Sequence, residues 1–328
     1  TDSAALNCRP SQQPISFSPA PDSLSMAATL IANARHPVIF SQRGARTRQA
    51  FDLISTFVEQ WAIPVVEYCG TEVTISAAHP MYAGNEPAYW LSKADVVIVI
   101  DSQAPWMIES MNVNPDCKVI QIGPDPLFSR YPVRGYQSDV NLAGETDTIF
   151  KLLDNALKPY LAEKSASVEE RYSHVAAHNK KERTTRDNVV DSANAGPIGK
   201  PWLSYCLGAL ANKYNGKITS ELTTLPQFAN FIQPESYYQE ALSGGLGEAF
   251  PIALGLQLAN RDELVIAAVG DGSYLFSNPA VCHHIAEVMK LPVLVVVGNN
   301  AGWGAVAGGT LALYPDGYAA KMDKVPAT

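Results

Sequence analysis

The sequence predicts an α/β protein made of two domains, each with a parallel sheet flanked by helices. Three observations lead to this prediction. The chain has 328 residues, which is enough for two domains with their own cores. Short apolar runs typical of buried strands recur along it, and segments with helical periodicity separate them. Strands that alternate with helices in this way belong to parallel sheets.

The composition is that of an ordinary globular protein. Hydrophobic residues make up 47% of the chain and charged residues 17%, which provides ample core. No apolar run is long enough to cross a membrane, and the N-terminus lacks the basic-then-apolar pattern of a signal peptide. The net charge of -8, without a basic stripe, argues against nucleic acid as a partner. Five scattered cysteines without a CxxC pair predict reduced thiols in the cytoplasm.

The first domain is predicted over residues 24–163. Residues 1–23 are rich in Pro, Ser and Gln and show no periodicity, which predicts a connector arriving from a segment upstream. Strands of the first domain are expected at 37–41, 64–68, 94–101 and 118–123. Helices are expected at 25–34, 45–61 and 146–157, and Pro159 ends the last of them.

The turn after the first predicted strand carries three arginines, Arg43, Arg46 and Arg48. They could contact a nucleotide phosphate, or they could form a solvated face where a helix starts, although the helix dipole does not favour cations there. No GxGxxG motif follows this strand, because Gly44 stands alone. The sequence leaves these two interpretations open.

Residues 164–200 are rich in charged and small side chains, and the positive and negative charges are mixed. This composition predicts a solvated linker between the domains rather than a binding patch. The second domain is predicted over 201–328. Its first strand, at 217–220, leads into Thr223 and Thr224, whose hydroxyls could bind a phosphate where the next helix begins or could simply cap that helix.

The stretch from Leu264 to Trp303 organises the second domain. A buried strand is predicted at 264–269, a helix at 278–289 and a second buried strand at 293–297. The strand–helix–strand order implies a right-handed crossover and two parallel strands. The Gly270-Asp271-Gly272 turn and the Asn299-Asn300 pair then lie at the carboxyl ends of the strands, where open α/β sheets bind ligands.

The residue types at these strand ends predict a metal-bound diphosphate. Asp271 and Asn300 offer hard oxygen ligands, which suit magnesium or calcium rather than zinc. Magnesium takes few ligands from protein and completes its shell with phosphate and water. The alternative is that Asp271 caps the following helix and the asparagines only form turns.

The spacing of these motifs resembles the signature of thiamine diphosphate enzymes, in which a GDG turn and an NN pair are separated as they are here by 26 residues. Upstream, the segment SGGLGEAFPIALG from Ser243 to Gly255 is similar to the loop and helix that hold the aminopyrimidine end of that cofactor. The likeness is to the branch with acetolactate synthase and benzoylformate decarboxylase. It covers nearly the whole chain and is strongest over 217–304.

This resemblance implies a Rossmann-like central domain, a thiamine diphosphate-binding domain, and thiamine diphosphate and Mg²⁺ as cofactors. Some members of the family bind FAD in the central domain, which is possible here but not supported by the sequence. The implied metal ligands are Asp271, Asn300 and the main-chain carbonyl of Gly302. The implied cofactor-binding residues are Thr223, Thr224, Gly245, Leu246, Gly270, Asp271, Gly272, Ser273, Asn300, Gly302 and Trp303.

Leu246 is the residue to which the resemblance assigns a catalytic role. It matches the bulky apolar side chain that forces the two cofactor rings into a bend, and the glycines on both sides leave it room. The alternative is that Leu246 is a core residue at a helix start. Trp303 is expected on the substrate side. Glu248 departs from the aromatic or small apolar residue that is common among relatives, and this puts any inference about the substrate in doubt.

The resemblance also implies that one domain of the family, with its catalytic glutamate, lies outside residues 1–328. The catalytic glutamate of the family belongs to a separate pyrimidine domain, which nothing in residues 1–328 resembles, and the C-terminus lies short of the usual last strands and helices. We therefore expect a fragment or split subunit of a 2-oxo-acid decarboxylase or carboligase that is inactive alone. It would act on a 2-oxo acid or aldehyde within a homodimer or homotetramer.

Were the lone chain active, Glu248 and Glu221 would be the first candidates for the missing acid. The alternative function is a non-catalytic module that binds a nucleotide or diphosphate for regulation or assembly.

Overall fold

The structure is a computed structural model that describes residues 17–111, 113–239 and 244–322. Within these ranges the chain forms two sheets, one of five strands and one of four. Neighbouring strands in both sheets are parallel. Helices alternate with the strands along the chain, so the predicted α/β class with two parallel sheets is confirmed. Residues 1–16 of the connector predicted over 1–23 lie outside the described residues, and the first helix already begins at Pro21.

The first sheet has the strand order β2-β1-β3-β4-β5. Its strands are β1 (Pro37–Ser41), β2 (Val65–Val66), β3 (Val96–Ile100), β4 (Lys118–Gly123) and β5 (Val140–Ala143). The helices in this part of the chain are α1 (Pro21–Asn33), α2 (Arg48–Trp61), α3 (Ala88–Leu91) and α4 (Thr146–Leu157). Every side chain of β1 and β3 is buried, because parallel sheets are covered on both faces.

The prediction of a solvated linker over 164–200 needs correction. Helix α5 (Leu161–Ala193) has 33 residues and fills most of this segment. It packs through polar anchors: the Arg171 guanidinium donates hydrogen bonds to the carbonyls of Ala34, Trp61 and Ala62, at the ends of α1 and α2. Apolar side chains of α5, among them Val168, Tyr172 and Val175, also pack against the core. Charged and polar residues outnumber them along the helix, so the sequence shows no clear amphipathic pattern. No helix in the described ranges is both long and apolar enough to cross a membrane.

The second sheet has the strand order β7-β6-β8-β9. Its strands are β6 (Lys217–Glu221), β7 (Tyr237–Gln239), β8 (Val265–Gly270) and β9 (Leu294–Gly298). Its helices are α6 (Lys200–Tyr214), α7 (Pro226–Ala229), α8 (Ala249–Ala259), α9 (Asp271–Phe276), α10 (Pro279–Met289) and α11 (Gly304–Leu313). Strand β8 is buried up to its last residue, whereas β9, at the edge of the described sheet, is only half-buried.

The predicted crossover is present in the second sheet. Strand β8 pairs in parallel with β9, and their last residues, Gly270 and Gly298, lie opposite each other. Helix α10 lies between these strands in the chain, close to the predicted 278–289. The short helix α9 precedes it and begins directly at Asp271. The two strand ends with their polar residues therefore meet at one edge of the sheet.

The two sheets are joined by main-chain hydrogen bonds between the loop that follows β2 and the strand β7 region. The amide of Ala77 donates to the carbonyl of Phe231 at 2.8 Å, and the amide of Gln239 donates to the carbonyl of Thr71 at 3.1 Å. These contacts bring residues 68–70 of the first domain toward the carboxyl ends of the second sheet. A cleft lies between them.

Candidate active site

A cleft of about 920 Å³ opens at the carboxyl ends of β6, β8 and β9 and is lined by residues of both domains. It brings together ten of the eleven residues predicted to bind the cofactor, and only Gly245 is not among the residues that line it. The ten are Thr223, Thr224, Leu246, Gly270, Asp271, Gly272, Ser273, Asn300, Gly302 and Trp303. Their common location is a finding, and their roles in binding stay predictions.

Asp271 joins the two strand ends. One carboxylate oxygen, Oδ1, accepts a hydrogen bond from the amide of Gly272 at 2.9 Å, and Oδ2 accepts one from the amide of Gly302 at 3.1 Å. The side chain is therefore more than a helix cap, because it ties the loop after β9 to the start of α9. Its oxygens keep lone pairs for a further partner, since a carboxylate can accept about four hydrogen bonds.

Three oxygen-bearing groups converge at this edge of the sheet, namely the Asp271 carboxylate, the Asn300 amide and the Gly302 carbonyl. One polar atom of the Asn300 amide lies 3.1 Å from Asp271 Oδ1 and 2.6 Å from the carbonyl oxygen of Gly302. With the amide nitrogen there, both contacts are hydrogen bonds. With the oxygen there, three oxygens repel one another unless a cation lies among them. Octahedral Mg²⁺ sets neighbouring ligand oxygens about 2.9 Å apart, so the two distances fit both arrangements, and the metal stays a prediction.

The two adjacent asparagines differ. Asn299 forms a turn, because its Oδ1 accepts a hydrogen bond from the amide of Ala301 at 2.8 Å. Asn300 instead points at Asp271 and Gly302. Within the described ranges no three His, Cys, Asp or Glu side chains cluster in a way that could hold a metal ion. A metal site here would depend on a mixed set: one carboxylate, one carboxamide and one main-chain carbonyl.

The loop after β6 carries the two predicted threonines. The Thr223 hydroxyl donates to the carbonyl of Glu221 at 3.2 Å, and the Thr224 amide donates to the Ser220 hydroxyl at 3.0 Å. The Thr224 hydroxyl is buried and has no hydrogen-bond partner in the described part of the chain. Neither threonine caps α7, because Leu225 is the N-cap residue and makes no side-chain capping bond. The Thr224 hydroxyl is thus a donor that still needs an acceptor.

Helix α6 holds this loop in place from the other side. The Ser204 hydroxyl accepts a hydrogen bond from the amide of Leu225 at 2.9 Å, and Lys200 Nζ donates to the carbonyl of Leu222 at 2.8 Å. Lys200 is the one cationic side chain and Asp271 the one carboxylate among the described residues that line the cleft. A negatively charged ligand would therefore meet a nearly balanced site, which a divalent cation on Asp271 would turn positive.

Leu246 stands at the tip of a tight turn that faces the cleft, and its side chain is 47% exposed. It is therefore not a core residue. Gly247 has φ +94°, and a Cβ there would lie 2.5 Å from the main-chain carbon of Phe276. A Cβ on Gly245 would meet nothing within 4 Å, so only the second of the flanking glycines is required by packing. Ser243, the first residue of the predicted loop motif, lies outside the described residues.

Trp303 forms an aromatic wall beside Leu246. Its ring lies 5.7 Å from the ring of Phe276 and is tilted against it. A Cβ on Gly272 would lie 2.9 Å from the Trp303 ring, so a glycine in the GDG turn lets the indole approach the strand end. Both aromatic residues line the cleft, and the position of Trp303 on the substrate side stays a prediction.

The first domain contributes residues that sequence reasoning missed. Tyr68, Cys69, Gly70 and Asn85 line the cleft. Burial raises the pKa of Tyr68 to about 12 and also raises the pKa of Cys69, so both stay protonated at neutral pH and Cys69 is not a ready nucleophile. Their signal in the sequence was the glycine-containing segment directly after β2, the same strand-end position that identified Asp271.

The three arginines after β1 all contact polar groups of the chain. Arg43 and Arg46 both pair with Asp101, at 3.2 and 2.5 Å, and Arg48 donates to Gln233 Oε1 at 2.6 Å. A cavity of about 430 Å³ lies beside Arg43 and Arg46, but the buried Asp101 carboxylate already neutralises much of their charge. These contacts add no support for FAD.

Comparisons with known proteins agree on one family. A family model described as the central domain of thiamine pyrophosphate enzymes matches residues 24–153. A second, described as their C-terminal thiamine pyrophosphate-binding domain, matches residues 219–326. Thiamine pyrophosphate is another name for thiamine diphosphate. The two models match the two halves of the chain in the order in which its two sheets occur.

The relatives cover most of this chain. The probable acetolactate synthase large subunit of Methanococcus aeolicus is 24% identical over 310 residues, which is 87% of this chain and 50% of that protein. The oxalyl-CoA decarboxylase of Escherichia coli (strain K12) is 23% identical over 301 residues, which is 87% and 50%. A thiamine diphosphate-dependent 4-hydroxybenzoylformate decarboxylase of Rhodococcus jostii RHA1 shares the fold, with a TM-score of 0.68 at 19% identity over 99% of this chain and 59% of that one. The chain spans about half the length of the curated relatives it matches.

Proposed function

The chain belongs to the thiamine diphosphate-dependent enzymes, in the branch with acetolactate synthase and benzoylformate decarboxylase, and from this premise we propose that its cleft binds thiamine diphosphate with Mg²⁺. The observation that carries the proposal is the convergence of Asp271, Asn300 and the Gly302 carbonyl at the ends of two parallel strands. A magnesium ion among these oxygens would attract the diphosphate that the rest of the cleft can hold.

The diphosphate would be held by donors on two neighbouring strand ends. Thr223 and Thr224 lie after β6, and the unpartnered Thr224 hydroxyl would gain the acceptor it lacks. Ser273 offers a main-chain amide in the first turn of α9, after β8, and the Gly272 amide, which already donates to Asp271 Oδ1, lies next to it in the chain. Amides at a helix start and hydroxyls beside them favour phosphate oxygens. Lys200 would add a positive charge at the rim.

Leu246 and Trp303 would shape the space beyond the diphosphate. When bound, thiamine diphosphate supplies a thiazolium carbon that takes up the electrons released as carbon dioxide leaves a 2-oxo acid. Leu246 would support the bent form of the cofactor from its position at the tip of the turn. Trp303 and Phe276 would exclude water and give the substrate side an apolar wall.

The reaction that this site supports best is decarboxylation of a 2-oxo acid or carboligation with a second 2-oxo acid or an aldehyde. The cleft needs an acid from elsewhere, because Asp271 is the one carboxylate among the described residues that line it and the proposed metal engages it. We propose that a pyrimidine domain, on another segment or a partner chain, supplies this acid across a homodimer or homotetramer interface. A non-catalytic diphosphate module would have no use for an exposed Leu246, which favours the enzyme. The cytoplasmic location and the lack of nucleic-acid or membrane partners stay predictions.

A steady-state assay with saturating thiamine diphosphate and Mg²⁺ tests this function. We expect no turnover of any 2-oxo acid by residues 1–328 alone, and turnover of roughly 1–1000 per second when a pyrimidine-domain polypeptide of the family is added. Turnover by the lone chain at such rates would show that the chain supplies its own acid. Failure to bind the cofactor, with and without the added polypeptide, would reject the proposed function.

A further inference from the structure

Glu221 is a buried acid that the site described above does not use. It ends β6, its side chain is completely buried, and no ion pair with it occurs in the described part of the chain. Transfer of a carboxylate from water to such a place costs several kcal/mol unless hydrogen bonds compensate. An isolated buried carboxylate therefore needs a structural reason, and its hydrogen bonds show what that reason is.

Both oxygens of Glu221 accept hydrogen bonds from the turn that carries Leu246. Oε1 accepts from the amide of Gly247 at 2.7 Å, and Oε2 accepts from the amide of Ala249 at 3.2 Å. Ala249 is the first residue of α8, whose N-cap residue, Glu248, makes no side-chain capping bond. The carboxylate thus caps α8 from a different strand, where the positive end of the helix dipole also stabilises it.

The same turn is blocked on its other side by α9. Gly247 lies against the main chain of Phe276 and Ser277 so closely that no side chain fits there. Glu221 on β6 and the end of α9 therefore hold the turn between them. Leu246 projects from the tip of this turn into the cleft, so its position depends directly on the two hydrogen bonds to Glu221.

Glu221 cannot replace the acid that the cleft lacks. Its two oxygens are engaged with main-chain amides, and it is not among the residues that line the cleft. The neighbouring Glu248 is half-buried, and burial together with the negative charge of Glu221 raises its pKa. No hydrogen bond to the Glu248 carboxylate occurs in the described residues, so Glu248 provides a matched comparison in the same turn.

We propose that Glu221 is a positioning residue that fixes the turn at 245–248 and thereby holds Leu246 at its place in the cleft. Its effect on the reaction rests on the proposed function, but its effect on the turn does not. Exchange of Glu221 for Gln keeps size and shape yet turns one acceptor into an NH₂ donor that faces an N–H group. One of the two amides then loses its partner.

Amide hydrogen exchange of the chain without cofactor tests the structural half of the proposal. In Glu221→Gln, peptides that span 244–250 are expected to exchange about tenfold faster, as for the loss of a hydrogen bond to a charged acceptor. Peptides of β8 and α10 are expected to stay unchanged, and so is the turn in the control Glu248→Gln. Unchanged exchange at 244–250 in Glu221→Gln overturns the proposal. Should this variant not fold, Glu221→Asp keeps the charge but is shorter, and it is expected to release one of the two amides.

A double-mutant cycle in the reconstituted enzyme tests the functional half. If Glu221 acts through Leu246, Glu221→Gln is expected to lower kcat about tenfold or more in the parent, with cofactor affinity nearly kept. In the Leu246→Ala background the same change is expected to lower kcat less than about threefold, because coupled sites are not additive. Additive losses overturn the link to Leu246. A parent enzyme that neither binds the cofactor nor turns over would reject the proposed function instead, while hydrogen exchange would still decide whether Glu221 holds the turn.

Discussion

The two sheets of this chain differ in how far their strands are buried and in whether the charges at their strand ends are paired. In the first sheet, β1 and β3 are buried along their whole length, and the charges at the strand ends are paired within the chain, as Asp101 is with Arg43 and Arg46. In the second sheet, β9 is half-exposed, and Asp271 and Asn300 have no cationic partner among the described residues.

This difference is the one expected between a sheet that its own chain covers and a sheet that, in our proposal, binds a ligand. Apolar side chains that are exposed together beside unneutralised acceptors are typical of interaction sites, so their presence at one sheet edge favours a site that a ligand or another polypeptide completes. Leu246 and Trp303 are such side chains, each about half-exposed. The same type of strand end thus supports packing in one domain and, in our proposal, cofactor binding in the other.

The largest effect is expected at the exposed side of the second sheet. Leu246→Ala is expected to lower kcat on the order of 100-fold in the reconstituted enzyme, because a poorly bent cofactor misplaces its reacting atoms. Its affinity for thiamine diphosphate is expected to stay within about threefold, since the diphosphate anchors are untouched. Leu275→Ala, at an exposed leucine on α9 that does not line the cleft, is the matched control. A change confined to KM would make Leu246 a substrate contact.

A pH dependence of stability is expected from Glu67, a buried acid of the first domain. Burial raises the pKa of Glu67 from 4.5 to about 7, although the amides of Thr74 and Ile75 donate to its carboxyl group. The folded state thus holds a proton that the unfolded state releases, so this contribution to stability is complete below pH 4.5 and is lost as the pH rises through 7. The free energy of unfolding is expected to fall by roughly 3 kcal/mol for this group over that pH range.

Glu67→Gln isolates that contribution. Glutamine keeps the accepting oxygen but cannot ionise. The melting temperature of this variant is therefore expected to rise relative to that of wild type as the pH is raised from 5 to about 8. Unfolding curves with the same pH dependence in both proteins would show that Glu67 is not protonated in the folded state.

Equal substitutions in the two sheets compare their burial directly. Val99 in β3 is 1% exposed and Val297 in β9 is 39% exposed. Val99→Ala is expected to lower the free energy of unfolding by about 2 kcal/mol, and Val297→Ala by less than about 1 kcal/mol. Denaturant titrations at several protein concentrations measure this. Equal costs would mean that β9 is covered in solution, for example by a second copy of the chain.

The sequence could predict the strand ends of the second sheet because each polar residue directly follows the apolar run that forms its strand. Asp271 and Asn300 each follow a short apolar run, and the crossover rule places both at one edge. Strand β5, with four residues, and β7, with three, are too short for a periodic pattern and form only because neighbouring strands offer them a partner.

Other features depend on contacts between distant segments. Arg171 anchors α5 to the ends of two helices more than 100 residues earlier in the chain, and its surroundings read as a solvated linker because charged residues dominate. Tyr68 and Asn85 reach the cleft only because main-chain hydrogen bonds join the two domains. Glu221 was visible as a strand-end acid, but that its carboxylate serves a turn 26 residues further on follows only from the fold.

The central claim is that the acidic strand end of the second sheet, and not that of the first, holds the cofactor. The most direct test is calorimetric titration of thiamine diphosphate with and without Mg²⁺ into wild type, Asp271→Asn and Asp101→Asn. Each substitution removes one charge at nearly constant shape. Magnesium-dependent binding is expected to weaken on the order of 100-fold in Asp271→Asn and less than about threefold in Asp101→Asn. Unchanged affinity in Asp271→Asn, or equal losses in both variants, would contradict the account.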